Sequence, residues 1–230
     1  LKKMVETFHA DKDAQILLLS YTNRAVDEIC KSLASIAPAV DFIRVGSELS
    51  CDEAYRGHLI ENELSSCNRR SERIRNCRII VGTVAAISGK PELFRLKHFD
   101  VAIIDEATQI LEPQLLGILC ARGEDGKDAI DKFVLIGDHK QLPAVVQQNT
   151  EQSAIYDESL LSIGLTNLKD SLFERLYRNC TATVHRSYDM LCRQGRMHPK
   201  VALFANRAFY GGHLIPVGLP HQIESSDTIC

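Results

Sequence analysis

Apolar residues follow two spacings that alternate along the chain. Val26, Ile29, Leu33 and Ile36 recur every three or four positions, which predicts a helix over about residues 25–36. Shorter apolar runs predict buried strands at residues 15–19, 42–45, 78–81, 101–104 and 133–136. Further helices are predicted at residues 2–9, 113–121, 169–177 and 199–209. This alternation of strands and helices indicates an α/β fold with a parallel sheet flanked by helices.

Two stretches interrupt the alternation. Residues 47–76 are polar and rich in Arg and Glu, and we predict that they form a helical insertion. The most basic stretch of the chain comprises Arg69, Arg70, Arg73, Arg75 and Arg78. These arginines suit either a solvated helix face, which the intervening Glu72 favours, or contact with a phosphate backbone. Residues 146–167 are predicted to be a long connector.

Composition narrows the class of protein only slightly. The net charge of −3 and the pI near 6.3 give no global signal for nucleic acid, so binding would need a local patch. The eight cysteines contain no Cys-x-x-Cys pair, which favours reduced thiols in a cytoplasmic protein, or a nuclear one in a eukaryote, over a disulfide framework. No apolar run approaches the ~18 residues of a membrane span, so no membrane association is expected.

Four short motifs carry the candidate chemistry. In chain order they are residues 21–27 (YTNRAVD), 103–109 (IIDEATQ), 137–144 (GDHKQLPA) and 194–199 (QGRMHP). The second motif places the carboxylates of Asp105 and Glu106 where an apolar strand ends, as in a Walker B site for Mg²⁺ and water at a nucleotide phosphate. Alternatively, this pair only caps the next helix at Thr108. The polar cluster that ends the following strand favours the functional interpretation over the capping one.

The order and spacing of these motifs resemble the superfamily 1 helicases, specifically the Upf-like branch with its DEA(A/S/T)Q, GD(H/P)xQLPP and QYRMHP signatures. The resemblance covers about residues 17–214 and implies an incomplete RecA-like P-loop NTPase fold. By this resemblance, residues 1–187 are most of the first RecA-like domain and residues 188–230 begin the second. No Gly-x-x-x-x-Gly-Lys-Ser/Thr phosphate loop occurs in the chain. The chain begins at Leu1, and we expect that loop just before it in a longer polypeptide.

The resemblance also implies a nucleotide site that uses ATP and Mg²⁺. Asp105 would be the Mg²⁺ partner and Glu106 the base that orients or activates water. Gln141 would sense the γ-phosphate. Gln194 and Arg196 would reach the nucleotide from the second domain, where the planar, permanently charged guanidinium suits phosphate oxygens. The sequence departs from the family at Gly195, where relatives have a tyrosine that packs on the nucleotide base.

A second implied site is a groove for single-stranded DNA or RNA. Thr22 and Asn23 lie between a predicted strand and a predicted helix, where backbone N–H groups and short side chains can hold a phosphate. Gly82 and Thr83, after the strand predicted at residues 78–81, resemble the next groove motif of the family. For Thr22 and Asn23, the alternative is a plain helix N-cap, which would use the same residues.

Three expectations about activity follow. The implied function is nucleic-acid-dependent ATP hydrolysis coupled to translocation or unwinding. Without a phosphate loop, the isolated segment is expected to be inactive, and its unpaired strand edges are expected to cause self-association, a domain swap or pairing with another fragment. The competing interpretation is a non-motor module that binds nucleic acid or protein, whereas a P-loop kinase or GTPase is disfavoured by the GDHKQLPA and QGRMHP motifs.

Overall fold

The computed structural model describes residues 1–11, 13–36, 39–63, 67–182 and 187–223. The strands are β1 Ile16–Ser20, β2 Ile43–Val45, β3 Ile79–Thr83, β4 Val101–Ile104, β5 Phe133–Leu135, β6 Arg193–Gln194 and β7 Ile215–Pro216. The helices are α1 Lys2–Ala10, α2 Asn23–Ala34, α3 Ile60–Glu63, α4 Cys67–Asn76, α5 Val84–Ser88, α6 Pro91–Leu96, α7 Glu112–Leu119, α8 Glu158–Ser162, α9 Leu172–Ala182, α10 Pro199–Phe209 and α11 Pro220–Ile223. The chain divides into two compact units, Leu1–Leu176 and Tyr177–Cys230.

The first unit is built on a parallel five-stranded sheet in the order β2-β3-β1-β4-β5. Consecutive strands of such a sheet need crossover connections, and the helical segments between them supply these. The parallel sheet flanked by helices confirms the predicted α/β, RecA-like fold class. Because all five strands run the same way, the turns that follow them lie along one edge of the sheet.

Alternating side chains of β1 supply the two cores of this unit. Ile16 and Leu18 pack on one face with α1 and α2, through residues such as Val5 and Ile29. Leu17 and Leu19 point to the other face, whose core includes apolar residues of α5, α6 and α7. Helices therefore cover both faces, which is why the strands read as unbroken apolar runs in the sequence. Truncating a buried residue such as Ile29 to alanine would cost about 2–5 kcal/mol.

The two edges of the sheet differ in how they are covered. All three residues of β2 are buried, and Arg44 forms a further parallel bridge with Leu59. In contrast, all three residues of β5 are only half-buried. Within the described part of the chain, β4 is the only strand that pairs with β5 in the sheet. An exposed strand edge presents unpaired backbone donors and acceptors to a further strand.

The predicted insertion at residues 47–76 contains two 3₁₀ turns, Glu48–Ser50 and Glu53–His58, followed by α3 and α4. Two members of the arginine cluster are used inside the fold. Arg73 forms two hydrogen bonds to the carboxylate of Asp41, at 2.8 and 2.7 Å. Arg78 donates to the backbone carbonyl of His9 in α1 and to those of Asp11 and Ala14 in the connection before β1. These contacts favour a structural role for that part of the cluster.

The second unit contains a two-stranded parallel pair, β6 and β7, with α10 between them. His198 is the N-cap of α10, because its Nδ1 accepts a hydrogen bond from the backbone N–H of Lys200 at 3.2 Å. Pro199 occupies the first helical turn, where its missing N–H is not needed. These two residues of the QGRMHP motif therefore have a structural role at the start of α10. Throughout the described ranges, every helix is too short or too polar to cross a lipid bilayer.

Candidate active site and nucleic-acid interface

Backbone hydrogen bonds fix the carboxyl edge of the sheet around the IIDEATQ motif. The N–H of Asp105 donates to the carbonyl of Leu19 at 2.8 Å, which joins the end of β4 to the end of β1. The N–H of Ala107 donates to the carbonyl of Ile136 at 2.8 Å, which joins the motif to the residue after β5. The Ser20 hydroxyl also donates to the carbonyl of Asp105, at 3.3 Å. Three strand ends therefore hold the two carboxylates in place.

Glu106 adopts an unusual backbone conformation. Its φ of 55° lies in the left-handed region, and it is the one non-glycine residue with a positive φ among the described residues. Such a conformation costs about 1–2 kcal/mol for a residue with a Cβ. The bonds at Asp105 and Ala107 enforce this conformation from both sides. It leaves the Glu106 side chain exposed at the sheet edge, whereas Asp105 is half-buried. Strain of this kind is concentrated at functional sites.

Local side-chain contacts complete this turn. The Asp105 Oδ1 atom accepts a hydrogen bond from the N–H of Glu106 at 3.1 Å. The amide of Gln109 donates to the Glu106 carboxylate at 3.3 Å. Glu106 precedes the short 3₁₀ helix Ala107–Gln109, but its side chain makes no capping hydrogen bond there. The geometry therefore argues against helix capping as the role of the carboxylate pair.

The turn after β5 is organised by Asp138. Its carboxylate accepts hydrogen bonds from the backbone N–H of Lys140 at 3.0 Å and from the side-chain amide of Gln141 at 2.9 Å. The carbonyl of Asp138 also accepts from the N–H of Gln141, at 3.1 Å. Asp138 thereby orients the exposed Gln141 side chain. Burial and the charge of Lys140 lower the pKa of His139, whose ring lies 6.4 Å from the Phe173 ring.

Gly137 lets the two turns approach each other closely. A Cβ atom at this position would lie 2.9 Å from Cγ2 and 3.1 Å from the backbone nitrogen of Thr108. Contacts this short require the neighbour to move, and the backbone of Thr108 is held by the motif around it. Glycine is therefore needed for the contact between the IIDEATQ and GDHKQLPA motifs, rather than for any special backbone conformation.

The residues predicted to line a nucleic-acid groove have clear local roles. Thr22 is the N-cap of α2 and accepts a hydrogen bond from the N–H of Ala25 at 3.2 Å. Thr83 is the N-cap of α5 and accepts from the N–H of Ala86 at 3.1 Å. Each therefore orients a helix N-terminus at the carboxyl edge, where unpaired backbone donors favour an anion.

These groove residues differ in exposure. Thr22 is exposed and Asn23 is half-buried, whereas Thr83 is only 7% exposed. Gly82 is buried, and a Cβ there would lie 3.0 Å from the Ile87 side chain and 3.2 Å from the carbonyl of Val45. Close packing thus accounts for Gly82. Side-chain access for a ligand is greater at Thr22 and Asn23 than at the second pair.

In the second unit, Gln194 holds the turn that presents Arg196. The amide of Gln194 accepts from the N–H of Met197 at 2.9 Å and donates to the carbonyl of Met197 at 2.8 Å. Gln222 donates to the carbonyls of Gln194 and Met197, at 3.0 and 2.9 Å. Arg196, between these anchored residues, is exposed. The Gln194 side chain is therefore engaged by the turn itself.

Gly195 is packed under the segment after β7. A Cβ atom at Gly195 would lie 3.0 Å from the Leu219 side chain and 3.3 Å from that of Val217. The carbonyl of Gly195 is 2.8 Å from Nε2 of His221, within hydrogen-bond distance. An aromatic side chain at this position would have to displace Leu219. The local packing therefore suits glycine where the resembling family has tyrosine.

The donor set at the end of β4 fits a hard divalent cation. Mg²⁺ prefers oxygen ligands and is held by one or two carboxylates together with phosphate oxygens and water. Asp105 and Glu106 supply such oxygens at a fixed sheet edge. The 230 residues contain no Gly-Lys-Ser/Thr phosphate loop, so they match the metal and water side of an ATP site but not its phosphate cradle.

Sequence reasoning missed two residues of this edge. The sequence indicates Asp138 only as part of its motif. Its side chain bonds to residues two and three positions later, Lys140 and Gln141, and an aspartate at the start of a turn is a typical signal for such an Asx turn. Gly137 carried no signal, because its importance depends on Thr108, which is distant in the sequence. Asp138 supports Gln141, and Gly137 permits the close approach to Thr108.

Comparison with known proteins agrees with this geometry. Two protein families, both described as AAA domain, match residues 59–149 and 168–226. The DNA replication ATP-dependent helicase/nuclease DNA2 of Gallus gallus is 33% identical over 204 residues, which cover 86% of this chain and 18% of that protein. DNA2 of Homo sapiens is 34% identical over 206 residues, covering 86% of this chain and 16% of that protein.

A plant relative gives a similar result. The DNA replication ATP-dependent helicase/nuclease JHS1 of Arabidopsis thaliana is 31% identical over 209 residues, covering 88% of this chain and 13% of that protein. The chain therefore spans less than a fifth of the length of these three relatives. The parallel sheet with its motif-bearing carboxyl edge defines a RecA-like domain. The chain is therefore similar, over most of its length, to part of proteins named as ATP-dependent helicases, in agreement with the resemblance of its motifs to superfamily 1.

Proposed function

We propose that the chain is part of an ATP-dependent nucleic-acid helicase. Residues 1–187 supply most of the first RecA-like domain, and residues 188–230 begin the second. The observation that carries the proposal is the carboxyl edge of the sheet, where Glu106 is held in a strained conformation next to the turn that orients Gln141. The relatives named as ATP-dependent helicases support the same activity. A cytoplasmic or nuclear location fits this role.

In this proposal the second, third and fourth motifs each supply residues for ATP hydrolysis. ATP would be the substrate, and the Mg²⁺ bound with it would neutralise charge on its phosphate oxygens. Asp105 would hold the Mg²⁺ ion, and Glu106 would accept the proton of the water that displaces ADP from the γ-phosphoryl group. Gln141, oriented by Asp138, donates to the γ-phosphate. Arg196 of the second unit carries the permanently charged guanidinium that suits phosphate oxygens, and Gln194 acts by holding the turn that presents this arginine.

The nucleic-acid strand lies along the carboxyl edge in this proposal. The N-terminus of α2, with Thr22 and Asn23, binds a backbone phosphate through its N–H groups. The segment at Gly82 and Thr83 supplies a second phosphate contact through the N-terminus of α5. The names of the DNA replication relatives favour single-stranded DNA as the polymer. Preference for RNA is the other outcome of the test below.

Two further proposals concern the isolated 230-residue chain. Because it has no phosphate loop, we expect negligible ATP turnover from it. We also expect it to self-associate, by a domain swap or by pairing through the outer edge of β5, which is half-buried and has an unpaired edge among the described residues. Light scattering tests the second point, and a stable, monodisperse monomer would contradict it.

The test of the proposed function is steady-state ATP turnover by the full-length protein that contains this chain. Turnover is measured alone, with single-stranded DNA and with single-stranded RNA, beside the variant Glu106→Gln. We expect a polymer to stimulate turnover and the substitution to lower it at least about 100-fold, the usual contribution of a positioned base. Turnover that is insensitive to both polymers, or that survives in Glu106→Gln, would contradict the proposal.

One observation favours a second candidate, a non-motor module that binds nucleic acid or protein. Leu219 and Val217 pack over Gly195, so the described second unit presents no ring at the position where the resembling family stacks on the base. A module of this kind would bind the polymer without ATP turnover. Folded full-length protein that binds single strands but hydrolyses no ATP would favour this candidate.

A further inference from the structure

The segment before the predicted insertion contains a fully buried arginine. Arg44, the central residue of β2, has 0% exposure and is the bulkiest fully buried side chain among the described residues. Charged side chains are rarely buried completely unless they are paired. The apolar run at residues 42–45 predicted only an ordinary strand. None of the roles assigned to residues of the site above involves Arg44.

The guanidinium of Arg44 joins α2 to the start of the insertion. Its Nη2 atom lies 2.8 Å from Oδ1 of Asp27, in the second turn of α2. The same nitrogen is 3.3 Å from the carbonyl of Ser50 and 3.5 Å from the carbonyl of Asn23. Asp27 Oδ1 also accepts from the N–H of Asp52, at 3.4 Å. One ion pair thus connects Asn23 of the groove motif with residues 50 and 52.

This arrangement is costly for a purely structural contact. The Nε and Nη1 atoms of Arg44 are buried without a nitrogen or oxygen acceptor among the described residues. The thiols of Cys30 and Cys51 interact with the guanidinium, but burial raises the pKa of Cys30 to about 12, so this thiol supplies no second anion at neutral pH. Burying a charge with incomplete pairing opposes folding, and apolar residues of similar volume are often as stable or more so.

The position of the ion pair indicates what it maintains. Thr22 and Asn23 begin α2 at the carboxyl edge, and Arg44 reaches the carbonyl of Asn23 at that same end. We propose that Arg44, paired with Asp27, is a positioning residue for single-strand binding. It fixes the N-terminus of α2 against residues 47–52, so that the backbone donors of the helix face the phosphate of the bound strand. This inference rests on the proposed nucleic-acid groove.

The chain offers a control in a second, partly buried arginine. Arg175 donates two hydrogen bonds to the carboxylate of Glu112, at 2.7 and 2.5 Å, and their side chains are 11% and 9% exposed. Arg175 also donates to the carbonyl of Ile163 at 3.0 Å. Like Arg44, it pairs with one carboxylate and donates to backbone carbonyl oxygen, but it joins α7 to α9 and to the connector instead of the groove motif.

The experiment compares Arg44→Met with Arg175→Met in the full-length protein. Binding of labelled oligo-dT and oligo-U strands is measured by fluorescence anisotropy, well below the unfolding midpoint of each variant. Arg44→Met is expected to weaken strand binding about tenfold, as is common for partners that orient a binding group. Arg175→Met should bind within about twofold of the wild type. The conservative variant Arg44→Lys should recover part of the affinity, because lysine keeps the charge towards Asp27 but lacks the guanidinium fork.

Each outcome of this experiment either supports or overturns the positioning role of Arg44. Equal binding by wild type and Arg44→Met, or equal weakening in both methionine variants, would overturn the positioning role while leaving the proposed function intact. A wild-type protein that binds neither strand would overturn the proposed groove, and the inference with it. If Arg44→Met does not fold, Asp27→Asn replaces it, because this change removes the partner charge but keeps a side chain that can accept from Arg44 and Asp52. The same weakening is then expected, and unchanged binding would overturn the role.

Discussion

The turn after β4 and the turn after β5 lie at the same edge of the sheet but are built differently. Contacts with the rest of the first unit hold the first turn, in which Ala107 and Thr108 are buried. The second turn is held mainly by its own Asp138, and Leu142 within it is 84% exposed. The difference indicates that the fold sets the position of the carboxylates, whereas the turn carrying Gln141 depends on local contacts and keeps more freedom to respond to a ligand.

The largest expected effect concerns the function of the second turn. Gln141→Ala removes the proposed donor to the γ-phosphate, and loss of one such donor typically lowers turnover about 100-fold or more. Polymer-stimulated ATP turnover of the full-length protein measures this effect. Gln148→Ala is the control, since this glutamine is exposed in the connector outside the motif. Equal turnover in both variants would remove Gln141 from the site.

A second prediction tests the contact between the two turns. Gly137→Ala places a methyl group 2.9 Å from Cγ2 of Thr108, and overpacking of this kind destabilises a domain by about 1–3 kcal/mol. Chemical denaturation of the full-length protein checks the loss. The double variant Gly137→Ala/Thr108→Ser, which removes Cγ2, should recover part of it. If Gly137→Ala alone is as stable as the wild type, the two turns are not in the tight contact described.

A third prediction concerns the support of Gln141. Asp138→Asn keeps one acceptor oxygen but loses the second, so either the Lys140 N–H or the Gln141 amide loses its partner. We expect turnover to fall about tenfold, less than in Gln141→Ala, with a change in stability below about 1 kcal/mol because the group is only half-buried. Steady-state kinetics and thermal unfolding separate the two quantities. A loss as large as in Gln141→Ala would mean that Asp138 contacts the ligand itself.

The smallest effect is a pH dependence at the second turn. The pKa of His139 is lowered, first by burial and then by Lys140, so the unfolded state binds a proton more readily than the folded one. Neutral His139 therefore makes its full contribution to the stability of the folded state above the unfolded pKa of about 6.5, and this contribution is lost as the pH falls below that value. The free energy of unfolding should decrease less between pH 7 and pH 5 in His139→Gln than in the wild type, by a difference below about 1 kcal/mol. A steeper fall in the variant would contradict the direction of the shift.

The fold was largely predictable because long, regular elements leave strong patterns. Strand β4 and helix α10 have the predicted bounds, residues 101–104 and 199–209. Helices α5 and α6 were not predicted, since their five and six residues are too short for a helical period to show, although Pro91 is a helix-start signal. The helix predicted from residue 169 begins at Leu172, because Ser171 and Glu174 form a reciprocal capping pair.

The candidate site was predictable only where motifs recur along the chain. The carboxylates, Gln141 and Arg196 stand in such motifs. The close contact of Gly137 with Thr108 and the pairing of Arg44 with Asp27 depend on residues that are far apart in sequence, so no local pattern carries them. The left-handed conformation of Glu106 could not be predicted either, because hydrogen bonds from two other strands enforce it.

The fold maintains the strained conformation of Glu106 at the sheet edge where we propose that its carboxylate acts on water. The most direct test is polymer-stimulated ATP turnover of Glu106→Gly in the full-length protein, with the unfolding free energy measured on the same sample. Glycine adopts a positive φ without strain, so we predict stability equal to or up to about 1 kcal/mol above that of the wild type, with turnover at least about 100-fold lower. Retained turnover would contradict the proposed role of the Glu106 carboxylate, and a clear loss of stability would contradict the strain at this residue.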